Sequence, residues 1–107
     1  MFTVRADRLT EDLIIITGIG EIDSLTAPKL STSLHRELER KPAVLVLDLT
    51  GVSFLGVAGL QVLDCAAARA ETLSTILKLV RHEYSPVQSA LRAGAMTGLF
   101  PTLRTLT

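Results

Sequence analysis

Apolar and polar positions alternate along this chain with two different periods, and the switches between them mark out seven elements. Residues 2–5 (Phe-Thr-Val-Arg) read as a short first strand, and Leu13 to Ile19 is a β-branched run that reads as a second. Gly18 and Gly20 loosen the chain behind it. Asp23, Ser24 and Thr26 then offer helix-capping side chains, and Pro28 suits a first helical turn, where its missing N–H costs nothing. Ala27, Leu30, Leu34 and Leu38 recur on one helical face, so His35, Arg36, Glu37, Glu39 and Arg40 are expected off that face, and Pro42 stops the helix. Ala43 to Leu47 is continuously apolar, as a central strand covered on both sides would be. Asp48 to Gly51 reads as a turn, with Val52, Phe54 and Leu55 following before Gly56.

An Ala- and Leu-rich segment from Val57 to Ala70 predicts a second helix, and Thr75 to Val80 a further strand whose Lys78 puts one face or edge in water. Ser85-Pro86-Val87-Gln88 has the spacing of a capping box opening a third helix. Val87, Ala90, Leu91 and Ala95 would be its buried stripe. Gly98 would end it, with Leu99 and Phe100 folding back on the core. The order is β, β, α, β, α, β, α. Strands alternating with helices imply parallel neighbours, and the short polar link between the first two strands implies an antiparallel pair. The expectation is an α/β fold in a single domain spanning 1–107, with a mixed four- to five-stranded sheet packed by helices.

Composition narrows the function. Lys plus Arg number 11 and Asp plus Glu 11, a formal net charge of +0, which gives no electrostatic reach toward nucleic acid or an anionic membrane. One Tyr and three Phe are too few for a base-stacking platform. No apolar run approaches the roughly 18 residues that cross a bilayer, so membrane insertion is not expected. The first twelve residues carry no apolar signal-like stretch, and a cytoplasmic setting is expected.

Cys65 is the only cysteine. Among Ala66, Ala67 and Ala68 it is expected to be a small packed residue, and neither His35 nor His82 lies at a ligand spacing from it. Both histidines are expected at the surface. The Gly18–Gly20 segment lacks the pattern of a phosphate loop. With no nucleophile–base pair, metal cluster or cofactor motif, the chain is not expected to be an enzyme.

Val44 to Leu63 reads VLVLDLTGVSFLGVAGLQVL. This stretch resembles the STAS family, the domain of bacterial anti-sigma factor antagonists. Asp48-Leu49-Thr50-Gly51-Val52, then Phe54-Leu55, then Gly59-Leu60 match its central motif. Gly20-Glu21-Ile22-Asp23 with Thr26-Ala27-Pro28-Lys29-Leu30 looks like its first-helix region. Ser85-Pro86-Val87 and Thr97-Gly98-Leu99 look like its last helix.

The resemblance implies a regulator that binds an anti-sigma factor or a related histidine-kinase-like protein, with no cofactor. It also implies a capacity to form homodimers. A second implied role is that of a cytoplasmic STAS subunit of a membrane lipid-transport ABC complex.

One motif departs from the family. Where relatives carry D-S-S/T-G, this chain has Gly56-Val57-Ala58-Gly59. The second hydroxyl of that motif is the phosphoacceptor in regulated members, and its equivalent here, Ala58, has no oxygen. A phosphate at a helix N-terminus adds about −1.5 to −2 charges at pH 7, which weakens docking when it must be desolvated. Ala58 cannot be switched in this way. Either the partner is bound constantly or control lies elsewhere.

The expected partner-binding residues are Ser53, Gly56, Val57, Ala58, Gly59 and Leu60, with Asp23 and Thr26 beside them. Each has a structural reading as well. Gly56-Val57-Ala58 is an apolar docking tip or a relic of lost function, and Asp23 is a partner contact or a helix-capping aspartate. Thr50 and Ser53 are expected to bond nearby backbone, not to act as displaced acceptors. Asp48 is expected to accept backbone N–H groups at the end of its strand.

Overall fold

A computed structural model of the chain describes residues 1–82 and 86–97, with side chains through residue 93. The elements are β1 (Phe2–Arg8), β2 (Leu13–Ile22), α1 (Ala27–Leu38), β3 (Val44–Leu55), α2 (Val57–Thr72), β4 (Ile76–Val80) and α3 (Pro86–Thr97). The expected order holds. The sheet has four strands in the order β1-β2-β3-β4, with β1 antiparallel to β2 and the other pairs parallel. Ser85, Gly98, Leu99 and Phe100, expected to bound the last helix, lie outside the described residues, as does the side chain of Ala95.

Period-two burial sorts the strands. Ile14, Ile16, Leu45, Leu47, Leu49, Leu77 and Leu79 are buried and point to the helices, as alternation on a pleated strand requires. Leu30, Leu34 and Leu38 of α1, Leu60, Leu63, Ala66 and Ala70 of α2, and Val87 of α3 complete one core with them. The described helices therefore cover one face only. Val44 and Val46 are half-buried and stand apart from that core, which corrects the expectation of a strand buried on both sides. A continuous apolar run on a central strand reports screening by neighbouring strands as well as by helices.

Two further expectations are corrected. Asp48 to Gly51 is not a turn, because β3 runs on to Leu55 beside β2. The register shifts between Thr17↔Asp48 and Ile19↔Gly51, so β3 carries an extra residue there, a bulge that absorbs the turn-forming residues. Asp48 Oδ1 accepts the Thr50 N–H at 2.9 Å and the Thr50 hydroxyl at 2.7 Å, tying the bulge together.

Glu37 is the second correction. It sits on the buried side of α1, fully enclosed, beside Leu34 and Leu38. Arg8, the last residue of β1, holds its carboxylate with Nε and Nη2 at 2.9 and 3.0 Å, and Arg40 and Arg36 approach at 3.4 and 3.5 Å. A charge that leaves water must be paired, and this one fastens the edge strand to the last turn of α1.

Candidate functional site

β2 and β3 end side by side, with Ile22 opposite Leu55. Both following segments, the loop into α1 and the start of α2, therefore leave the sheet together at the carboxyl ends of parallel strands, the usual location of sites in open α/β sheets. Gly56 N–H donates to the Ile22 carbonyl at 2.9 Å and fixes one segment on the other. This contact brings the loop of Asp23 and Thr26 beside the tip of α2.

The first segment is held by reciprocal bonds. Asp23 Oδ1 accepts the N–H groups of Leu25 and Thr26, both at 3.0 Å, while the Thr26 hydroxyl accepts the Asp23 N–H at 2.9 Å and donates to the Glu21 carbonyl at 2.8 Å. These bonds favour the ionised carboxylate, the Thr26 N–H most of all, and hold the Asp23 pKa below its ordinary value. Asp23 thus closes a turn ahead of α1 and shapes the loop, but it does not cap the helix: the N-cap is Thr26, with no side-chain cap bond, which corrects the capping expected of Asp23, Ser24 and Thr26. Leu25, at the crest of this turn, is 87% exposed.

Gly56 is the N-cap of α2 in an extended conformation (φ −89°, ψ −177°), with no side-chain cap and no acidic residue in the first turn. The N–H groups at this tip are accordingly uncapped. Val57 is 61% exposed, Ala58 is half-buried, and Gly59 and Leu60 are buried. The expected run from Gly56 to Leu60 therefore divides into an outward part, Gly56 to Ala58, and an inward part, Gly59 and Leu60. Ser53 is exposed, with its hydroxyl 3.4 Å from the Gly20 carbonyl.

Gly59 is inward because the helix tip rests directly on the sheet. A Cβ there would fall against Leu55 Cδ1 and 2.7 Å from Ile22 Cγ2, two core side chains. Gly59→Ala is expected to lower stability by about 1–2 kcal/mol, because overpacking outweighs the helix-propensity gain of about 1 kcal/mol. Thermal unfolding checks this; a raised midpoint would show that the tip lifts freely.

A groove of about 430 Å³ runs between α1 and α2, lined by Ser24, Ala27, Pro28, Ser31, His35, Ala58, Gln61, Val62 and Cys65. It opens beside the tip, with Ala58 in its wall, and no Asp, Glu, Lys or Arg lines it. Cys65 is exposed in this groove, which corrects its expected role as a packed residue. The inward positions of α2 are 59, 60, 63, 66 and 70, and Cys65 falls off that stripe.

Phe54 lies within the expected surface from Ser53 to Leu60 but is not among the contacts singled out there, yet it is 48% exposed and its ring lies over Gly56. A lone Phe between Ser53 and Leu55 carries no sign of which way it points. Leu25 was the more legible omission, since it interrupts a polar turn. Among the described residues no three His, Cys, Asp or Glu side chains gather as metal ligands, and no helix is long and apolar enough to cross a membrane.

Comparison with known proteins agrees with this architecture. An anti-sigma factor antagonist from Mycobacterium paratuberculosis is 30% identical and superposes with a TM-score of 0.74, covering 98% of this chain and 85% of its own. The anti-sigma-F factor antagonist RsfB of Mycobacterium tuberculosis is 39% identical over 59 residues, which is 55% of this chain and 46% of RsfB; the chain thus matches less than half the length of that relative. SpoIIAA in its unphosphorylated form shares the fold, with a TM-score of 0.71 over 98% of this chain and 89% of SpoIIAA at 13% identity. The STAS domain matches residues 5–106, nearly the whole chain, and this match establishes that the chain belongs to the STAS domain family.

Proposed function

We propose that the chain is an anti-sigma factor antagonist that docks through the tip of α2 and is not switched by phosphate there. The reading places it in the cytoplasm, bound to an anti-sigma factor or a histidine-kinase-like relative of one. The relatives' roles as anti-sigma factor antagonists support the partner class. The observation that carries the mechanism is the chemistry of the tip. Val57 and Phe54 are exposed, Ala58 supplies a methyl group where a hydroxyl would be needed, and the loop bearing Leu25 stands alongside.

A helix end with no charged side chain can be covered without desolvating an ion, provided the partner supplies acceptors for the uncapped N–H groups. SpoIIAA exists in unphosphorylated and phosphorylated forms. This chain has no oxygen at position 58 on which to repeat that alternation. Asp23 and Thr26 position the neighbouring loop, and Ser53 adds a hydroxyl at the margin.

Calorimetric titration with the cognate anti-sigma factor, with and without ATP, tests the reading. The same affinity is expected under both conditions. A loss of affinity on adding ATP would contradict it. Co-purification with a transporter ATPase in place of an anti-sigma factor would favour the lipid-transport role instead.

A further inference from the structure

We propose that the outer face of the sheet, opposite the helices, is a contact between two copies of this chain. The proposal is independent of the anti-sigma reading, since it uses neither the tip of α2 nor the groove. The face is assembled from the strand registers. One row across it is Asp7–Ile15–Val46–Lys78; the rows on either side are Arg5–Thr17–Asp48–Val80 and Leu13–Val44–Ile76. Ile76 and Val80 are 57% and 41% exposed, and Ile19, farther along β2, is 55% exposed. No described helix packs on these residues, and none of them belongs to the core.

The charges choose the occupant. The first row has an acid at one edge, a base at the other and two aliphatic side chains between. Consider a twofold axis parallel to the strands, midway between β2 and β3 and between the two faces. It lays β1 of one copy over β4 of the second, and β2 over β3, with no shift along the strands. The row then meets itself reversed. Asp7 faces the second copy's Lys78, Ile15 faces the second copy's Val46, and symmetry makes each contact twice.

In the adjoining row the same operation sets Thr17 over Asp48. Aligned sheets pack about 30° apart, and the long stem of Lys78 spans the offset this introduces at the edges. Asp7 already meets Arg5 of its own chain at 3.0 Å, an exposed pair that leaves the carboxylate 45% accessible. Four strands about 4.8 Å apart, limited in extent by the seven and five residues of the edge strands β1 and β4, give a plane on the order of 400 Å². That is small beside the roughly 800 Å² per partner of a standard interface, so a weak, micromolar dimer is expected.

Sedimentation equilibrium of the full chain from about 1 to 500 µM tests the proposal, since this range brackets a micromolar dissociation constant. Wild type is expected to pass from monomer to dimer. Asp7→Lys and Lys78→Asp each place like charges opposite one another at both edges, and each is expected to weaken association about tenfold. The double variant Asp7→Lys/Lys78→Asp restores the opposed signs and is expected to recover the dimer. Both positions of change are at the surface, and circular dichroism checks that each variant is folded. A wild type that stays monomeric throughout, single reversals without effect, or a double variant no better than the singles would each overturn the proposal.

Discussion

Replacing Ala58 with aspartate is expected to weaken partner binding by about 10- to 100-fold while leaving the domain folded. The magnitude follows from the cost of about 1–3 kcal/mol for burying a polar group without a partner of its own. Position 58 is the second residue of α2 and lines the groove beside the tip. A docked partner would have to strip water from the new carboxylate there. The same carboxylate suits the helix itself, because the uncapped N–H groups of the first turn favour an anion by about 0.3–1 kcal/mol.

Affinity should therefore fall while the unfolding temperature holds or rises slightly. That opposition separates a docking effect from a folding effect, since a merely destabilised domain would lose both together. Ala58→Ser is the matching control. It should bind as the parent does, and with a kinase partner it should become sensitive to ATP. Calorimetry together with thermal melts reads both variants. An Ala58→Asp protein that binds as tightly as wild type would remove the first turn of α2 from the interface.

Glu37→Ala is expected to cost about 2–3 kcal/mol of stability, the range for losing hydrogen bonds to a charged group, because the three arginines it leaves behind are about half exposed and can return to water. At about 4–8 °C per kcal/mol for a domain of this size, the melting point should drop by on the order of 10–20 °C. The loss has two parts. The cavity removes packing next to Leu34 and Leu38, and Arg8, Arg36 and Arg40 lose the one carboxylate they share.

The same group sets a pH dependence. Two hydrogen bonds from Arg8 hold the Glu37 pKa below its ordinary value near 4.5, against the opposing effect of desolvation. A carboxylate whose pKa is depressed by folding stabilises the native state above its unfolded pKa. That contribution fades as pH falls through the lower folded value. Wild type should thus lose stability on acidification below about pH 4.5. Glu37→Ala and the milder Glu37→Gln should both flatten this acid limb. A residual slope from Asp23, whose pKa is also depressed, will remain. Urea melts between neutral and acidic pH measure it, and an unchanged slope in both variants would mean that Glu37 contributes no linked stability.

Much of the architecture could be read without coordinates. The β-branched run of β2, the 3.6-residue stripe of α1 and the Pro at the start of α3 are local patterns, and each produced the element it predicted. The antiparallel opening pair followed from a short link. β1 was harder, because its second half, Ala6 to Arg8, carries the charges that pair with Arg5 and Glu37, and so lacks the apolar alternation of its first half. Asp48 to Gly51 misled for the opposite reason. Its residues favour turns, but pairing with β2 on one side and β4 up to Asp48 on the other held the segment extended and compressed the turn into a bulge.

What the sequence determined by itself is the order of elements and the missing oxygen at position 58. The first is set by periodicity within short windows, and the second is a covalent fact that no packing can alter. What only the tertiary structure decided is which surfaces face water and which residues meet. Glu37 is buried because Arg8, 29 positions away, crosses to it. Cys65 is exposed because α1 leaves a groove beside α2. The loop of Asp23 lies beside the tip of α2 because Gly56 bonds to Ile22, and one face of the sheet is bare because every described helix packs on the other. Burial and contact depend on partners far along the chain, and a local pattern records how an element is built without recording what comes to cover it.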